Sequence, residues 1–316
     1  MLTNLLLFLV SLVILLYSAG YCNRYASKIA KTFHLSEFFI SFFIVAVISS
    51  FPESTVSIIS AIKGIPEFGF GALIGSNVAD LTLVFAIVTL FSIKGGISIK
   101  SGIMKKDFYY LILLAFPLLL GLDGYFSRVD GIILVLSNII FLFTIFKENK
   151  VFSKVFNKKI IADKYIQLNF LFLLISLTVL LFSAYFSVKY GINFANDIHI
   201  PAIIISLTVI SIGVCLPELM FSIRAVRNNH ETLALGDILG TVIIDATLML
   251  GIVMLISPFY IEQILVIVTG GSMLIAGIIL IAFIDSKNIL SKKEALVLLI
   301  FYVLYILLEL YVNRVI

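Results

Sequence analysis

The sequence predicts an all-α polytopic membrane protein in which ten transmembrane helices form two inverted five-helix repeats. Three observations support this prediction: a strongly apolar composition, an uneven distribution of basic residues between alternate loops, and an internal repeat that places acidic residues in register 165 positions apart. Together they indicate a chain whose main solvent is lipid.

The composition excludes a water-soluble domain. Hydrophobic residues occupy 61% of the 316 positions and charged residues only 13%, a balance typical of membrane proteins. A helix needs about 20 apolar residues to cross a hydrocarbon core about 30 Å thick, and continuous apolar runs favour helices over a β-barrel. The predicted spans are residues 2–21, 36–62, 69–93, 107–122, 131–146, 165–188, 198–223, 232–257, 263–284 and 295–313.

The basic residues provide an independent test of this count. Eighteen of the 22 lysines and arginines follow odd-numbered spans, and the other four are Lys63, Arg128, Lys189 and Arg314. Because cytoplasmic loops retain Lys and Arg, this asymmetry predicts a multi-pass protein of the cell membrane with both termini outside. It also accounts for the net charge of +4 without a nucleic-acid partner.

The chain is predicted to divide into two halves. Residues 147–164 form the one sizeable polar segment and are interpreted as a basic cytoplasmic linker. The first five-helix repeat then covers residues 1–146, with a signature segment at 46–80. The second, inverted repeat covers residues 165–316, with a signature segment at 211–245.

The two signature segments align without a gap. Pro52-Glu53 aligns with Pro217-Glu218, and Asp80 aligns with Asp245. The other matches are Ser57 with Ser222, Gly71 with Gly236, Gly75 with Gly240, and Ser76 with Thr241. Since each half contains an odd number of spans, the second copy enters the membrane in the opposite orientation. Inverted repeats of this kind are typical of transporters whose binding site lies near the bilayer midplane.

Four carboxylates lie inside the predicted spans: Glu53, Asp80, Glu218 and Asp245. A charged group at the bilayer centre costs at least about 2.5 kcal/mol, and no Lys or Arg accompanies these four within the spans. Bound cations, protons or both must therefore neutralise them. Oxygen ligands select hard ions such as Ca2+ and Na+, so the pattern predicts a cation site. Glu309, near the end of the tenth span and without a repeat partner, is expected to reach the membrane interface.

Further polar atoms are predicted near these acids. Pro52 and Pro217 each lack an N–H, so carbonyl groups upstream of them become candidate ligands, as in the broken helices of transporters. Asp237 lies two helical turns before Asp245 on the same face, while its repeat mate is Ala72. Asp237 is therefore a candidate for an additional proton or cation site.

These residues resemble the alpha repeats of the cation/Ca2+ exchanger superfamily, in particular those of its prokaryotic sodium/calcium exchangers. The similarity rests on Pro52-Glu53 followed by Gly75-Ser76-Asn77-Val78-Ala79-Asp80, and on Pro217-Glu218 followed by Gly240-Thr241-Val242-Ile243-Ile244-Asp245. The resemblance implies a diamond of ion sites among spans two, three, seven and eight. It also implies that spans one and six slide across this core to alternate access.

The resemblance also implies the ligand roles. Glu53 and Glu218 are the implied principal Ca2+ ligands, which Na+ shares, while Asp80 and Asp245 flank the central site. The residues implied to supply carbonyl or hydroxyl oxygens, mainly to Na+, are Ala46, Ser49, Ser50, Ser76, Ser211 and Thr241.

Two departures from the family's pattern leave the counter-ion open. Val214-Cys215 stands where the family usually has Thr-Ser, so two hydroxyls are lost and the carbonyl of Val214 remains as a candidate ligand. Asp80 stands where Asn is common in the first repeat. This additional carboxylate changes the charge that Na+ or H+ must balance.

The residues and the resemblance together predict a secondary active antiporter, not an enzyme, that exchanges Ca2+ for Na+ by alternating access. The alternative is a proton-coupled antiporter of Ca2+ or another divalent cation; a passive cation channel would conduct without a counter-ion. An intramembrane aspartyl protease is disfavoured, because Ala234 replaces the first glycine of the GxGD element that ends at Asp237. We expect inorganic cations and the lipid bilayer as partners, no cofactor, nucleotide or nucleic acid, and a monomer.

Overall fold

The computed structural model describes residues 1–30, 46–92, 96–98, 107–149, 166–287 and 289–315, and most of these residues are helical. Among them, seven helices are long and apolar enough to cross a membrane: Leu2–Cys22, Pro66–Leu90, Gln167–Asp197, Ala202–Arg227, Glu231–Ile256, Gln263–Ile284 and Lys292–Val312. The prediction of a mostly helical, multi-pass architecture is confirmed. Residues 36–45 of the predicted second span and 150–164 of the predicted linker lie outside the described residues.

The helical segments of the described residues overlap the predicted spans, and most of them begin or end outside the predicted bounds; we label them α1–α10 in chain order. Their bounds are Leu2–Ala30 (α1); Ala46–Ser49 and Phe51–Ile62 (α2); Pro66–Ala79, Asp80–Val84 and Phe85–Leu90 (α3); Asp107–Leu120 (α4); Arg128–Asn149 (α5); Ile166–Asp197 (α6); Ala202–Ile205, Ser206–Ile210, Ser211–Val214 and Leu216–Arg227 (α7); Glu231–Ile243, Ile244–Met249 and Leu250–Ile256 (α8); Gln263–Lys287 (α9); and Lys292–Val315 (α10). α6 extends beyond the predicted end of its span at residue 188.

Four short strands connect the two halves of the chain. β1 (Gly96–Ser98) pairs antiparallel with β4 (Ile289–Ser291), and β2 (Tyr125–Phe126) pairs antiparallel with β3 (Phe259–Tyr260). Each pair joins a connection of the first half to a connection of the second half. These strands were not predicted, because segments of two or three residues carry no periodic signal.

Helices of the first half likewise pack against helices of the second half. The end of α8 packs against α5, and the end of α3 packs against α10. α4 packs against α9, and α1 packs along α6. Where α5 crosses α8, a Cβ on Gly131 would lie 2.8 Å from the carbonyl oxygen of Gly251, and a Cβ on Gly251 would lie 2.8 Å from that of Gly131. The two glycines therefore allow these backbones to approach closely.

α2 and α7 are interrupted at equivalent positions, Ser50 and Cys215. After each interruption a new helix begins with a proline in its first turn, Pro52 in α2 and Pro217 in α7. A proline is accepted there because the N–H that it lacks would have no partner within the helix. The interruptions lie just before the glutamates, as the prolines predicted.

α3 and α8 each contain a π-helical segment at the acidic residue of the repeat. The segments are Asp80–Val84 in α3 and Ile244–Met249 in α8. Such wider turns are frequent at functional sites, because they shift the side chains that follow relative to those that precede. The sequence did not predict them.

Candidate cation site

The candidate site lies where α2, α3, α7 and α8 meet, and each helix contributes one of the four repeat carboxylates. Glu53, Asp80, Glu218 and Asp245 are completely buried, with 0% of each residue exposed. Both carboxyl oxygens of all four lack a hydrogen-bond partner. Such unsatisfied buried groups are rare in folded proteins and require an explanation.

The acids form one electrostatic cluster. Glu53 interacts with the charges of Asp245 and Asp80. Glu218 interacts with those of Glu53 and Asp80. Asp237 adds a fifth charge that acts on both glutamates, and Asp245 interacts with Asp80. Because like charges repel strongly in a low-dielectric interior, the cluster requires mobile cations or protons as neutralisers.

The chemistry of this cluster fits a hard cation. No described Lys or Arg forms an ion pair with any of the four repeat carboxylates, whose oxygens remain unsatisfied. In the described part of the chain, no three Asp, Glu, Cys or His side chains are placed to hold a metal ion on their own. An ion bound here must therefore also use hydroxyl or carbonyl oxygens, as Ca2+ with its six to eight ligands usually does.

The residues implied to supply additional oxygen ligands lie on the same four helices and are buried. These residues are Ala46, Ser49, Ser50, Ser76, Ser211, Val214 and Thr241, each 0% exposed. The Ser76 hydroxyl donates to the carbonyl of Leu73 (2.8 Å), and the Ser50 hydroxyl donates to that of Val47 (3.1 Å). Since these hydrogens are used within the helix, the lone pairs of the hydroxyl oxygens are available to a cation.

Two contacts join α8 to the first half of α2. The Thr241 hydroxyl donates to the carbonyl oxygen of Ala46 at 3.4 Å. The Ser49 hydroxyl donates to Asp237 Oδ1 at 2.8 Å, while Asp237 Oδ2 has no partner. Asp237 is 0% exposed, so the structure places this acid, which has no acidic repeat mate, directly beside the central cluster.

Asp80 has neighbours that the sequence did not predict. The Cys215 thiol lies beside its carboxyl group and contacts the carbonyl oxygen of Ser76 at 3.5 Å. Tyr110 of α4 and Tyr302 of α10 are near enough to Asp80 to interact with its charge. These tyrosines lie outside the signature segments, and no sequence pattern marked them.

Glu309 lies elsewhere than expected. The sequence predicted that this residue reaches the membrane interface, but only 1% of it is exposed. The Thr269 hydroxyl of α9 donates to Glu309 Oε1 at 2.6 Å. The prediction was wrong because helix periodicity does not reveal which face of α10 packs on α9.

The sequence also matches known proteins along most of its length. The model of the sodium/calcium exchanger protein family matches residues 3–147 and 168–311. The sodium/calcium exchanger MaX1 of Methanosarcina acetivorans is 26% identical, with 98% of this chain and 99% of that protein covered. The putative antiporter CaxA of Alkalimonas amylolytica is 29% identical, with 83% of each covered.

A solved structure shares the fold. The structure of the sodium-calcium exchanger NCX_Mj superposes with a TM-score of 0.71 at 25% identity, covering 96% of this chain and 98% of that one. The resemblance found in the sequence is thereby confirmed. Because the family model matches most of both halves, the chain belongs to the sodium/calcium exchanger protein family and is a membrane transporter rather than an enzyme.

Proposed function

We propose that this chain is a secondary active antiporter that exchanges Ca2+ for Na+ across the cell membrane by alternating access. The observation that carries the proposal is the set of four buried carboxylates, one from each of α2, α3, α7 and α8, whose oxygens have no partner within the protein. Relatives named as sodium/calcium exchangers support the same choice of ions.

In this proposal, Glu53 and Glu218 bind Ca2+ directly, and Asp80 and Asp245 flank it. Two glutamates neutralise one divalent ion, and the nearby hydroxyl and carbonyl oxygens complete its coordination. Na+ uses the same carboxylates together with oxygens of the interrupted helices, including the carbonyl of Val214. Because both ions need the same negative charges, the binding of one disfavours the other, which is the basis of exchange.

We further propose that the fold consists of two inverted five-helix repeats, residues 1–146 and 165–316, joined by a cytoplasmic linker at 147–164, with both termini outside. Support comes from the strand pairs and helix pairs that each join one half to the other, from the matching interruptions in α2 and α7, and from the matching π-helical segments in α3 and α8. A pseudo-two-fold axis in the membrane plane would relate all these pairs.

α1 and α6 are the proposed moving elements. They pack along each other and expose many apolar side chains, as lipid-facing helices do. Hydrogen bonds between them join Ser187 to Ser11 (3.2 Å) and Cys22 to Ser176 (3.3 Å). A pair that is held together internally can slide as one body over α2 and α7 and open the site to either side.

The coupling ion can be tested by imposing gradients separately. We expect purified protein in liposomes to take up radioactive Ca2+ when Na+ is loaded inside, and to show little uptake with a pH gradient alone. Uptake driven only by the pH gradient would establish the proton-coupled alternative. Uptake that needs no counter-ion would indicate a channel and contradict antiport.

Restoring the lost hydroxyls should strengthen Na+ coupling. We expect the double variant Val214→Thr/Cys215→Ser to reach half-maximal Na+-driven Ca2+ uptake at a Na+ concentration several-fold lower than the unmodified protein, since two additional oxygens would face the site. The measurement is the Na+ dependence of uptake. Ser222→Thr, which leaves the number of hydroxyls unchanged, is the control; an unaltered Na+ response in the double variant would show that these hydroxyls do not limit Na+ binding.

Asp237 is proposed as an additional cation or proton site. Asp237→Ala copies the repeat mate Ala72 and removes one charge of the cluster. We expect it to lower the apparent Ca2+ affinity roughly tenfold, the factor that corresponds to about 1.4 kcal/mol, while uptake remains measurable. Asp237→Glu, which keeps the charge, should stay within about threefold of the unmodified protein, a difference below about 0.7 kcal/mol; an unchanged affinity in Asp237→Ala would remove Asp237 from the site.

A further inference from the structure

A buried carboxyl group lies outside the cation cluster. Glu309 belongs to the last turns of α10, is 1% exposed and accepts a hydrogen bond from Thr269. None of the proposed transport steps uses it. Because an intramembrane acid is costly to maintain, Glu309 requires its own explanation.

Two tyrosines connect Glu309 with the cation cluster. Tyr302 and Tyr305 precede Glu309 by seven and four residues on α10, so all three lie on one helix face over about 10 Å. Tyr305 interacts with Glu309 and with Tyr302. Tyr302 in turn lies beside Ser211 and interacts with Asp80.

The hydroxyls of both tyrosines are buried without a hydrogen-bond partner. Their residues are 5% and 2% exposed, and the ring centroids are 6.1 Å apart. Phenylalanine would fill the same space without this unsatisfied group. The two hydroxyls therefore form a row of polar groups within an otherwise apolar contact of α10. We call Tyr302 and Tyr305 the polar file.

We infer that Glu309 is a proton-binding site whose occupancy controls the affinity of the central cluster for Ca2+. When Glu309 is ionised, its charge, passed on by the reorienting hydroxyl dipoles of the polar file, makes the potential at the cluster more negative and strengthens cation binding. When Glu309 is protonated, that contribution is lost. By linkage, Ca2+ binding also releases a proton from Glu309. The inference rests on the proposed function, since it assigns a regulator to the same site.

The described elements in main contact with α10 contain few titratable residues. These elements are Asp80–Val84, Phe85–Leu90, Ala202–Ile205, α9 and β4. Their titratable residues are Asp80, Asp285 and Lys287. Asp285 lies 16 residues beyond Thr269 on α9, roughly 24 Å along the helix, and Lys287 is farther still. On α10, Tyr305 faces Glu309 and Tyr311 is 68% exposed; the side chain of Arg314 is outside the described part.

The test compares Ca2+ affinity with pH in the purified, detergent-solubilised full-length protein by isothermal titration calorimetry. Glu309→Gln keeps an acceptor for Thr269 but cannot ionise, so it should match the unmodified protein at low pH. As pH rises, its dissociation constant should exceed that of the unmodified protein by a growing factor, about fivefold at the upper plateau, at the low end of couplings between sites. It should also release fewer protons per Ca2+ bound in buffers of different ionisation enthalpy.

Further variants keep the test decisive if Glu309→Gln is unstable. Tyr305→Phe and Tyr302→Phe should show part of the same pH-dependent loss, Glu309→Asp should largely restore the unmodified profile, and Tyr311→Phe on the exposed face of α10 should match the unmodified protein. A dissociation constant raised by the same factor at every pH, or no change in Glu309→Gln, would overturn the inference. If the unmodified protein did not bind Ca2+ at any pH, the result would instead contradict the proposed function.

Discussion

Glu53→Gln and Glu218→Gln are each expected to abolish Ca2+ uptake into liposomes. Each substitution removes one of the two charges proposed to neutralise a divalent ion, and leaves an amide whose NH2 group repels a cation. Both glutamates are completely buried and their oxygens lack protein partners, so the substitution breaks no internal hydrogen bond and the fold should be preserved. We expect uptake at least about 100-fold lower, since removal of one partner from a buried charge pair costs about 3–5 kcal/mol.

The control is Glu262→Gln. This glutamate is exposed and immediately precedes α9, so its loss should leave uptake unchanged. Ca2+ binding by calorimetry on the same preparations separates loss of the site from loss of transport alone. Full uptake in either glutamate variant would refute the assigned site.

Gly75→Val is expected to reduce transport to background by separating α3 from α7. A Cβ at Gly75 would lie 3.0 Å from the carbonyl oxygen of Leu207 and 3.0 Å from Ser211 Cβ. The Leu207 oxygen belongs to the backbone and cannot turn away, and valine adds two further methyl groups. Overpacking of this kind costs about 1–3 kcal/mol, and the displacement falls next to Ser76 and Ser211, two proposed ligands.

Gly271→Val provides the matched control, because a Cβ at Gly271 of α9 would meet no atom within 4 Å. The measurements are Ca2+ uptake and the thermal unfolding midpoint in detergent. We expect Gly75→Val to lower both and Gly271→Val to change neither by much. If Gly75→Val were as active as Gly271→Val, close contact between α3 and α7 would not be needed for the site.

Much of the site could be predicted because its residues repeat. Pro52-Glu53 and Pro217-Glu218 recur in register, and an acidic residue that is duplicated inside the membrane has no structural use in lipid. Asp237 has no acidic repeat mate, and its helical phase alone predicted a position near the cluster; the hydrogen bond from Ser49 joins it to α2. The repeat provided no information about Tyr110, Tyr302 or Glu309, because none of these residues belongs to it.

The sequence by itself determined that the helices lie in lipid, and it determined which acidic residues must be neutralised there. Both conclusions follow from the energy of transferring single side chains into lipid. Only the tertiary structure decided which helices meet, that α2 and α8 are joined through Ser49 and Asp237, and that Glu309 faces α9 rather than the membrane interface. The physical reason is that lipid-facing and buried positions of a membrane helix are equally apolar, so the pattern along one helix does not select its neighbours.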